Sequence, residues 1–144
     1  MCGITGIVNF HNGLSEKRSI EEMTNIISHR GPDDSGFFFN KFVQFGFRRL
    51  SIIDIDLGQQ PMKSKDDRYT IIFNGEIYNY KHVRDELRDK GYKFKTNSDT
   101  EVIIYSYDCW GKKCMHHFNG MFAFAIYDQK KQEVFMARDR MGIK

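Results

Sequence analysis

The sequence predicts one α+β domain, in which several antiparallel strands pack in layers with a few helices. Its 144 residues suit a single domain, and 40% of them are hydrophobic, which is enough for a sizeable core. Most of the predicted strand connections are hairpin-like, which favours α+β layers over a parallel sheet. The chain has no internal repeat, low-complexity segment or linker, so residues 1–144 are predicted to form one unit.

Short apolar or alternating runs, bounded by turn residues, predict the strands. These runs are 3–10, 37–39, 42–47, 69–73, 123–128 and 133–138. Asn12-Gly13 predicts a turn after the first strand, and Asn40-Lys41 predicts the turn of a hairpin. The irregular stretch from Gly58 to Arg68 predicts a mobile loop.

Three helices are predicted from their start and stop residues. Ser19 and Glu22 form a capping box before the first helix, and Ser98 and Glu101 form another before the third. The second helix is predicted over 80–90, with Asn79 as its cap and Gly91 as its stop.

Charge and composition exclude several classes of partner. The formal charge is +3 and the basic residues are scattered, so we expect neither nucleic-acid binding nor a polybasic membrane patch. No apolar run reaches the roughly 18 residues of a membrane helix, and no signal peptide is recognised. The odd count of three cysteines argues against a disulfide framework. We therefore expect a cytoplasmic protein with a small-molecule or protein partner.

Cys2 is the first candidate for chemistry, because removal of Met1 would make it the N-terminal residue. Its α-amine, with a pKa of about 7.7–8.0, could then accept the thiol proton and return it to a leaving amine. N-terminal nucleophiles are activated in this way. The alternative is that Cys2 is a small buried hydrophobic residue in the first strand.

Polar residues further along the chain could complete such a site. The Asn74 side chain and the Gly75 N–H could bind an oxyanion, although Asn-Gly is equally typical of a hairpin turn. Arg49, or its neighbour Arg48, could bind a carboxylate, although most arginines are solvated surface residues.

Two carboxylates, Glu76 and Asp99, could pair with a substrate ammonium. For Asp99 the structural alternative is stabilisation of a helix N-terminus.

Four residues close together in the sequence could be metal ligands, and they are Cys109, Cys114, His116 and His117. Trp110-Gly111-Lys112-Lys113 separates the two cysteines with bulk and positive charge, and no second ligand pair is evident. We therefore predict two structural cysteines and no metal. The chain has no glycine-rich phosphate loop of the ATP-binding or dinucleotide-binding type, so no cofactor site is predicted in it.

Seven ordered blocks of sequence together resemble one known family. The blocks are 1–4 (MCGI), 29–36 (HRGPDDSG), 49–54 (RLSIID), 73–79 (FNGEIYN), 98–102 (SDTEV), 119–128 (NGMFAFAIYD) and 137–144 (ARDRMGIK). Over essentially its whole length the chain resembles the glutaminase domain of glutamine-hydrolysing asparagine synthetases, which are class II amidotransferases with an N-terminal nucleophile. The Arg-Leu-Ser-Ile-Ile-Asp block points to this branch of the class.

The resemblance implies a four-layer αββα sandwich that hydrolyses L-glutamine to glutamate and ammonia through a Cys2 thioester. Carried over by position, Asn74 and Gly75 form the oxyanion hole, and Arg49 binds the glutamine carboxylate. Asp99, helped by Glu76, binds its ammonium. The implied glutamine pocket also includes the backbone of Leu50, Ser51, Ile52 and Ile53.

Two departures from the family pattern are visible. Phe47 stands where the family often has a histidine before the two arginines, and the sequence ends at Lys144 where the family usually continues with Pro-Leu-Tyr. The resemblance thus implies a glutaminase fold cut short at its C-terminus. An ATP-dependent synthetase domain or chain, with its ATP and Mg²⁺, is expected as a partner outside this chain.

Three points stay open at this stage. The chain could be a non-catalytic glutamine-binding or regulatory fragment, or another N-terminal nucleophile hydrolase such as an acylase or peptidase. An acylase or peptidase of this kind would not need Arg49 and Asp99 together. The oligomeric state is undetermined, with a homodimer as one candidate.

Overall fold

Two stacked antiparallel sheets, each covered by helices on its outer face, form the fold. The computed structural model describes residues 2–10, 16–50 and 59–144. Its helices and strands are β1 (Gly3–Val8), α1 (Lys17–Ile26), β2 (Asp34–Phe39), β3 (Val43–Arg49), β4 (Met62–Lys63), β5 (Tyr69–Ile77), α2 (Tyr80–Asp89), α3 (Asp99–Trp110), β6 (Gly120–Asp128) and β7 (Glu133–Arg138). Short 3₁₀ turns cover Ser28–Arg30 and Gly111–His116.

The first sheet has the strand order β1-β3-β2 and the second has the order β4-β5-β6-β7. Every strand pairing within these two sheets is antiparallel. In the register of the first sheet, Gly3 lies opposite Arg48, which brings the start of β1 beside the end of β3. In the second sheet, Asn74 of β5 lies opposite Ala123 of β6.

Aromatic and aliphatic side chains fill the space between the sheets. Phe45 and Phe47 of β3 are buried there with Ile72 of β5 and Tyr127 of β6. The rings of Phe38 and Tyr127 come from opposite sheets, and their centroids are 6.1 Å apart. Burial of such large side chains provides most of the free energy that holds two sheets together.

Helices cover both outer faces. In α1, Ile20 is fully buried, and Thr24 hydrogen-bonds to Thr5 of β1, with 2.8 Å between their hydroxyl oxygens. On the other side, α2 and α3 bury Val83, Leu87 and other apolar side chains against the second sheet. The layers therefore run α, β, β, α, and the predicted α+β sandwich is confirmed.

One predicted helix cap is wrong, and the position of another is confirmed without its side-chain bond. The first helix begins at Lys17, so Ser19 lies within its first turn, and the N-cap residue Glu16 makes no side-chain cap bond. Asn79 does precede α2, but its side chain accepts from the Asn119 N–H and donates to the His117 carbonyl. A tertiary contact has replaced the local cap at this position, which sequence spacing alone does not reveal.

The start of α3 follows the prediction more closely. The Ser98 hydroxyl accepts from the Thr100 N–H at 3.0 Å and so caps the helix. The Glu101 carboxylate does not complete a capping box, because it accepts from the N–H groups of Lys95 and Thr96 instead. Gly91, the predicted stop of α2, follows that helix with a φ of 91°.

Several strand boundaries differ from those expected. The fifth strand continues from Phe73 through Ile77, and the sixth begins at Gly120. The short strand Met62–Lys63 lies inside the stretch predicted as a loop. The predicted turn at Asn12-Gly13 lies outside the described residues.

Candidate active site

A cavity of about 420 Å³ opens where the ends of β1, β3, β5 and α3 meet. It gathers every predicted site residue that the structure describes, and these are Cys2, Arg49, Leu50, Asn74, Gly75, Glu76 and Asp99. Ser51, Ile52 and Ile53, which were also predicted to line the pocket, lie outside the described residues. Residues from distant parts of the chain therefore share one concave site, as small-molecule binding requires.

Cys2 lies immediately before β1, and its side chain is half-buried. It packs against the core between the sheets, and its Sγ atom is 4.0 Å from the Leu50 carbonyl oxygen. The thiol is therefore neither sealed in the core nor extended into solvent. Both the rigidity of β1 and access from the cavity favour a reactive position over a purely structural one.

The Asn74-Gly75 pair lies inside β5, which excludes the hairpin alternative. Both residues continue the pairing with β6, opposite Ala123 and Phe122. The Asn74 side chain is on the same face of β5 as that of Ile72, because strand side chains alternate. That face looks into the space between the sheets, where Cys2 also packs.

The backbone of β5 presents alternate N–H groups along its other edge. The Phe122 N–H donates to the Asp139 carboxylate, and the Phe122 carbonyl accepts from the Asp139 N–H. Because Asp139 directly follows β7, the polar backbone groups of Phe122 point towards β7 and away from Gly75. The Gly75 N–H consequently points away from β6, in the same direction as those of Phe73 and Ile77.

These three N–H groups differ in what they bind. The Phe73 N–H donates to the Gln60 side chain at 2.6 Å, and the Ile77 N–H donates to the Asp99 carboxylate at 3.1 Å. Among the described residues, none accepts from the Gly75 N–H that lies between them. It is therefore a backbone donor directed at the cavity, as an oxyanion hole requires.

Glycine is required at position 75 by both conformation and space. Its φ is 152°, a value that L side chains rarely adopt, and a Cβ atom there would overlap the Met121 carbonyl oxygen of β6. No other residue type fits this position without moving β5 away from β6.

Asp99 is the first residue of α3, so its carboxylate lies at the helix N-terminus as well as in the cavity. Burial raises the pKa of Asp99, and the nearby Glu76 carboxylate adds to this rise, while the Ile77 N–H opposes it. The position of Asp99 is therefore compatible with both the helix interpretation and the site interpretation. A cationic ligand group in the cavity would offset the repulsion between these two carboxylates.

A buried arginine holds the segment that carries Asp99. Arg84 of α2 is only 6% exposed, and its guanidinium donates to the Asn97 side chain at 3.1 Å and to the Ser98 carbonyl at 3.0 Å. The rings of Tyr80 and Phe94 lie near the same guanidinium. These contacts fix the turn immediately before Asp99 and thus the position of its carboxylate.

The two consecutive arginines of β3 have separate environments. Arg48 donates to the Thr24 carbonyl at 3.2 Å and to the Asn25 side chain at 3.0 Å, both at the end of α1. Arg49 lines the cavity and is 7% exposed. Of the two arginines, only Arg49 lines the cavity, because successive strand side chains point to opposite faces.

Several cavity residues were not anticipated from the sequence. Gln60 and Thr100 belong to this group; Gln60 lies in none of the seven blocks, and Thr100 lies in block 98–102 but was given no role. Also unpredicted as lining residues were Phe47, Phe73, Tyr80, Asn97, Ser98, Met121 and Lys144. Phe47 is buried between the sheets, so its departure from the family pattern affects packing beside the cavity.

The cysteine and histidine cluster gives no metal centre among the described residues, since no three His, Cys, Asp or Glu side chains are arranged to hold an ion. Cys114 is fully buried, and burial raises the pKa of its thiol to about 12. The rings of Trp110 and His117 stack with centroids 3.8 Å apart. Within the described residues, no helix is long and apolar enough to span a membrane.

Comparison with protein families identifies the family of the domain. The family described as "Glutamine amidotransferase domain" matches residues 1–144. The chain belongs to this family. Membership in it makes the chain an enzyme domain with glutamine as its implied substrate, and the predicted resemblance is confirmed.

The curated relatives of this glutamine amidotransferase domain are asparagine synthetases. The chain is 50% identical to asparagine synthetase [glutamine-hydrolyzing] 3 of Bacillus subtilis (strain 168), a match that covers 100% of this chain and 24% of that protein. It is 37% identical to asparagine synthetase B [glutamine-hydrolyzing] of Escherichia coli (strain K12), a match that covers 99% of this chain and 26% of that protein. The chain thus spans about a quarter of the length of the curated relatives it matches.

A solved structure supports the fold independently. The glutamine phosphoribosylpyrophosphate amidotransferase from B. subtilis, complexed with ADP and GMP, is similar with a TM-score of 0.58 and 23% sequence identity. The match covers 72% of this chain and 24% of that one. At this identity the likeness shows the fold alone.

Replacement of Gly75 by alanine tests how tightly β5 is held at the cavity. We expect Gly75→Ala to lower the free energy of unfolding by about 1–3 kcal/mol, because the new Cβ overlaps the Met121 carbonyl. We also expect it to abolish glutamine turnover, because the Gly75 N–H moves. Urea unfolding and a glutamate-release assay measure the two effects.

Gly91→Ala is the matched control. Gly91 also has a positive φ, but a Cβ atom there has no heavy atom within 4 Å. In this variant, only backbone strain should lower the free energy of unfolding, and glutamine turnover should be unchanged. Full turnover in Gly75→Ala would contradict the assignment of the oxyanion hole.

Proposed function

We propose that this domain hydrolyses the side-chain amide of L-glutamine through a thioester on Cys2. The observation that carries the proposal is that Cys2, Arg49, Gly75 and Asp99 line one cavity. A nucleophile, an anion-binding group, an oxyanion donor and a cation-binding group are the four functions that glutamine hydrolysis needs. The match to a glutamine amidotransferase domain supports the same substrate.

In this proposal, glutamine lies in the cavity with its two ends bound separately. The Arg49 guanidinium binds the α-carboxylate with paired hydrogen bonds, and the Asp99 carboxylate binds the α-ammonium with help from Glu76. Leu50 forms part of the wall of the pocket. With the α-carbon fixed, the side-chain amide extends towards Cys2 and the β5 edge.

The acylation step uses the α-amine that removal of Met1 exposes. This amine accepts the thiol proton of Cys2, and Sγ bonds to the amide carbon. The resulting oxyanion is stabilised by the Gly75 N–H and the Asn74 side-chain amide. When the carbon–nitrogen bond breaks, the proton returns from the amine to the leaving group, which departs as ammonia, and a thioester remains.

Deacylation reverses these proton movements. The α-amine takes a proton from water, and the resulting hydroxide attacks the thioester carbonyl. The same two donors stabilise the second oxyanion. The carbon–sulfur bond breaks, the Cys2 thiolate takes back the proton, and glutamate leaves the cavity.

The ammonia is proposed to serve an amide-forming reaction elsewhere in the protein. Supporting this, the relatives named as glutamine-hydrolysing asparagine synthetases are about four times as long as this chain. We propose aspartate as the acceptor, activated by an ATP- and Mg²⁺-dependent synthetase domain or chain. A cytoplasmic location suits a catalytic thiol, since that compartment is reducing. The comparisons do not favour a non-catalytic fragment.

Substitution of the nucleophile tests the proposed reaction directly. We expect Cys2→Ala to abolish glutamate release from glutamine while glutamine still binds, because only Sγ is removed. Cys109→Ala, at a half-buried cysteine that does not line the cavity, is the matched control and should keep full turnover. Unchanged turnover in Cys2→Ala would refute the mechanism.

Arg49 distinguishes a glutaminase from another N-terminal nucleophile hydrolase. We expect Arg49→Gln to raise the KM for glutamine about 10- to 100-fold, since a charge-assisted hydrogen bond contributes roughly 1.5–3 kcal/mol. Steady-state kinetics on glutamine measure this effect.

The matched control for this test is Arg48→Gln, because the Arg48 side chain binds the end of α1 and not the cavity. Its KM should stay near the wild-type value. An unaltered KM in Arg49→Gln would favour an acylase or peptidase activity.

The raised pKa of Asp99 predicts a pH dependence of binding. Because the ammonium of glutamine binds the ionised carboxylate, affinity should fall as the pH drops through the Asp99 pKa. Since burial raises that pKa, the loss should begin above the ordinary aspartate value of about 3.9. Calorimetric titration of glutamine into Cys2→Ala protein between pH 7.5 and 4.5 measures it.

Two further variants complete this experiment. Asp99→Asn in the same background should bind glutamine weakly and with little pH dependence. Asp85→Asn, which removes an exposed carboxylate paired with Arg88, should follow the parent protein. Identical pH profiles for Asp99→Asn and its parent would exclude Asp99 as the ammonium ligand.

A further inference from the structure

Gln60 lies where, among the described residues, the second sheet has no strand beside β5. The last paired residues of β4 and β5 are Met62 and Ile71. Continued pairing would place the backbone of residue 60 opposite Phe73, but Pro61 lies between and has no N–H to extend the ladder. Beyond Ile71, the edge of β5 that faces the cavity therefore has no β4 backbone beside it.

The backbone of Gln60 packs against the first sheet. Gly36 of β2 lacks a side chain where the Gln60 carbonyl approaches, and a Cβ at Gly36 would overlap that oxygen. The main chain at Gln60 therefore lies against β2 of the first sheet. Only the side chain of Gln60 reaches back to the second sheet.

That side chain replaces the missing strand partner. Its Oε1 atom accepts from the Phe73 N–H at 2.6 Å, and its Nε2 atom donates to the Thr100 hydroxyl at 3.5 Å. Thr100 is the second residue of α3 and is 3% exposed. One carboxamide therefore connects β5 to the start of the helix that carries Asp99.

The hydrogen bond to Phe73 lies directly before the proposed oxyanion hole. Phe73 precedes Asn74, and the Gly75 N–H is the next donor along the same edge. Asp99 fixes this edge on the far side, through the Ile77 N–H. Gln60 and Asp99 thus fix the β5 backbone on either side of Gly75. The Gly75 N–H keeps its direction and can still donate to a ligand in the cavity.

We infer that Gln60 is a positioning residue that holds Phe73, and through it the Asn74 and Gly75 donors, in the geometry of the oxyanion hole. This inference rests on the proposed glutamine hydrolysis. A neutral carboxamide suits this role, because a carboxylate at the same place would repel the oxyanion. Gln60 itself does not touch the reacting atoms.

The inference is tested with Gln60→Met and Gln59→Met in the full-length protein. Both changes remove a carboxamide from a side chain of similar length, but Gln59 is exposed and does not line the cavity. We expect Gln60→Met to lower kcat about 10- to 100-fold, because misplaced donors lose stabilisation of the transition state. The KM for glutamine should change by less than about threefold, since substrate binding depends on Arg49 and Asp99.

Active sites are counted by the stoichiometry of labelling with 6-diazo-5-oxo-L-norleucine, so that loss of folded protein is not mistaken for a lower kcat. Gln59→Met should match the wild type. A kcat per active site in Gln60→Met equal to that of the wild type would overturn the inference, as would an increase in KM alone. If Cys2→Ala retains turnover, the proposed function fails instead, so the two failures are distinguishable.

A second measurement needs no substitution. If Gln60 holds the Phe73 N–H, that amide should exchange with solvent at least about 100-fold more slowly than an unprotected amide, although β4 does not extend to Phe73. Hydrogen exchange of the wild-type protein, followed by NMR, measures this rate. Exchange at the rate of an open amide would overturn the inference.

Discussion

The candidate site depends on the incomplete edge of β5. The strand β4 pairs with β5 only as far as Ile71, so the N–H groups of Phe73, Gly75 and Ile77 point towards the cavity without a strand partner among the described residues. Unsatisfied backbone donors are costly when buried, and each must find an acceptor or serve a ligand. Side chains satisfy the outer two, and no described residue accepts from the middle one, which we propose to bind the substrate. An open sheet edge thereby becomes a binding site for developing negative charge.

The stacking of the two sheets brings the nucleophile to this edge. Pairing of Gly3 with Arg48 places Cys2 and Arg49 at the same end of the first sheet. The packed core between the sheets fixes their distance from β5, since large aromatic side chains there leave little freedom to slide. The proposed nucleophile and the proposed oxyanion donors are therefore held by different sheets. Packing between the sheets, and not local sequence, sets their separation.

The sequence predicted the layers, most strands and seven of the residues that line the cavity, because seven ordered blocks are far more specific than any one of them. It failed where tertiary contacts override local patterns. Asn74-Gly75 has the same local signature in a hairpin turn as in β5, and only its pairing with β6 decides between them. The Asn79 side chain likewise does not bond to the backbone of α2, and it hydrogen-bonds to residues 117 and 119 instead.

Gln60 shows the limit of sequence reasoning for the site. Nothing in its neighbourhood marks a functional residue, and its role follows only from the gap between β4 and the cavity. Arg84 is similar, because its two acceptors before Asp99 are evident only after α2 and α3 have packed together. Residues that act by positioning others carry no motif of their own, since many side chains can fill such a role in different folds.

The central claim is that Cys2, freed of Met1, is the nucleophile of a glutamine-binding cavity. Labelling with 6-diazo-5-oxo-L-norleucine, followed by intact mass measurement and peptide mapping, tests processing, pocket and nucleophile together. The account predicts a protein without Met1 that carries one adduct, on Cys2, whose formation excess glutamine prevents. Retained Met1, or an adduct on Cys109 or Cys114 with Cys2 unmodified, would contradict it.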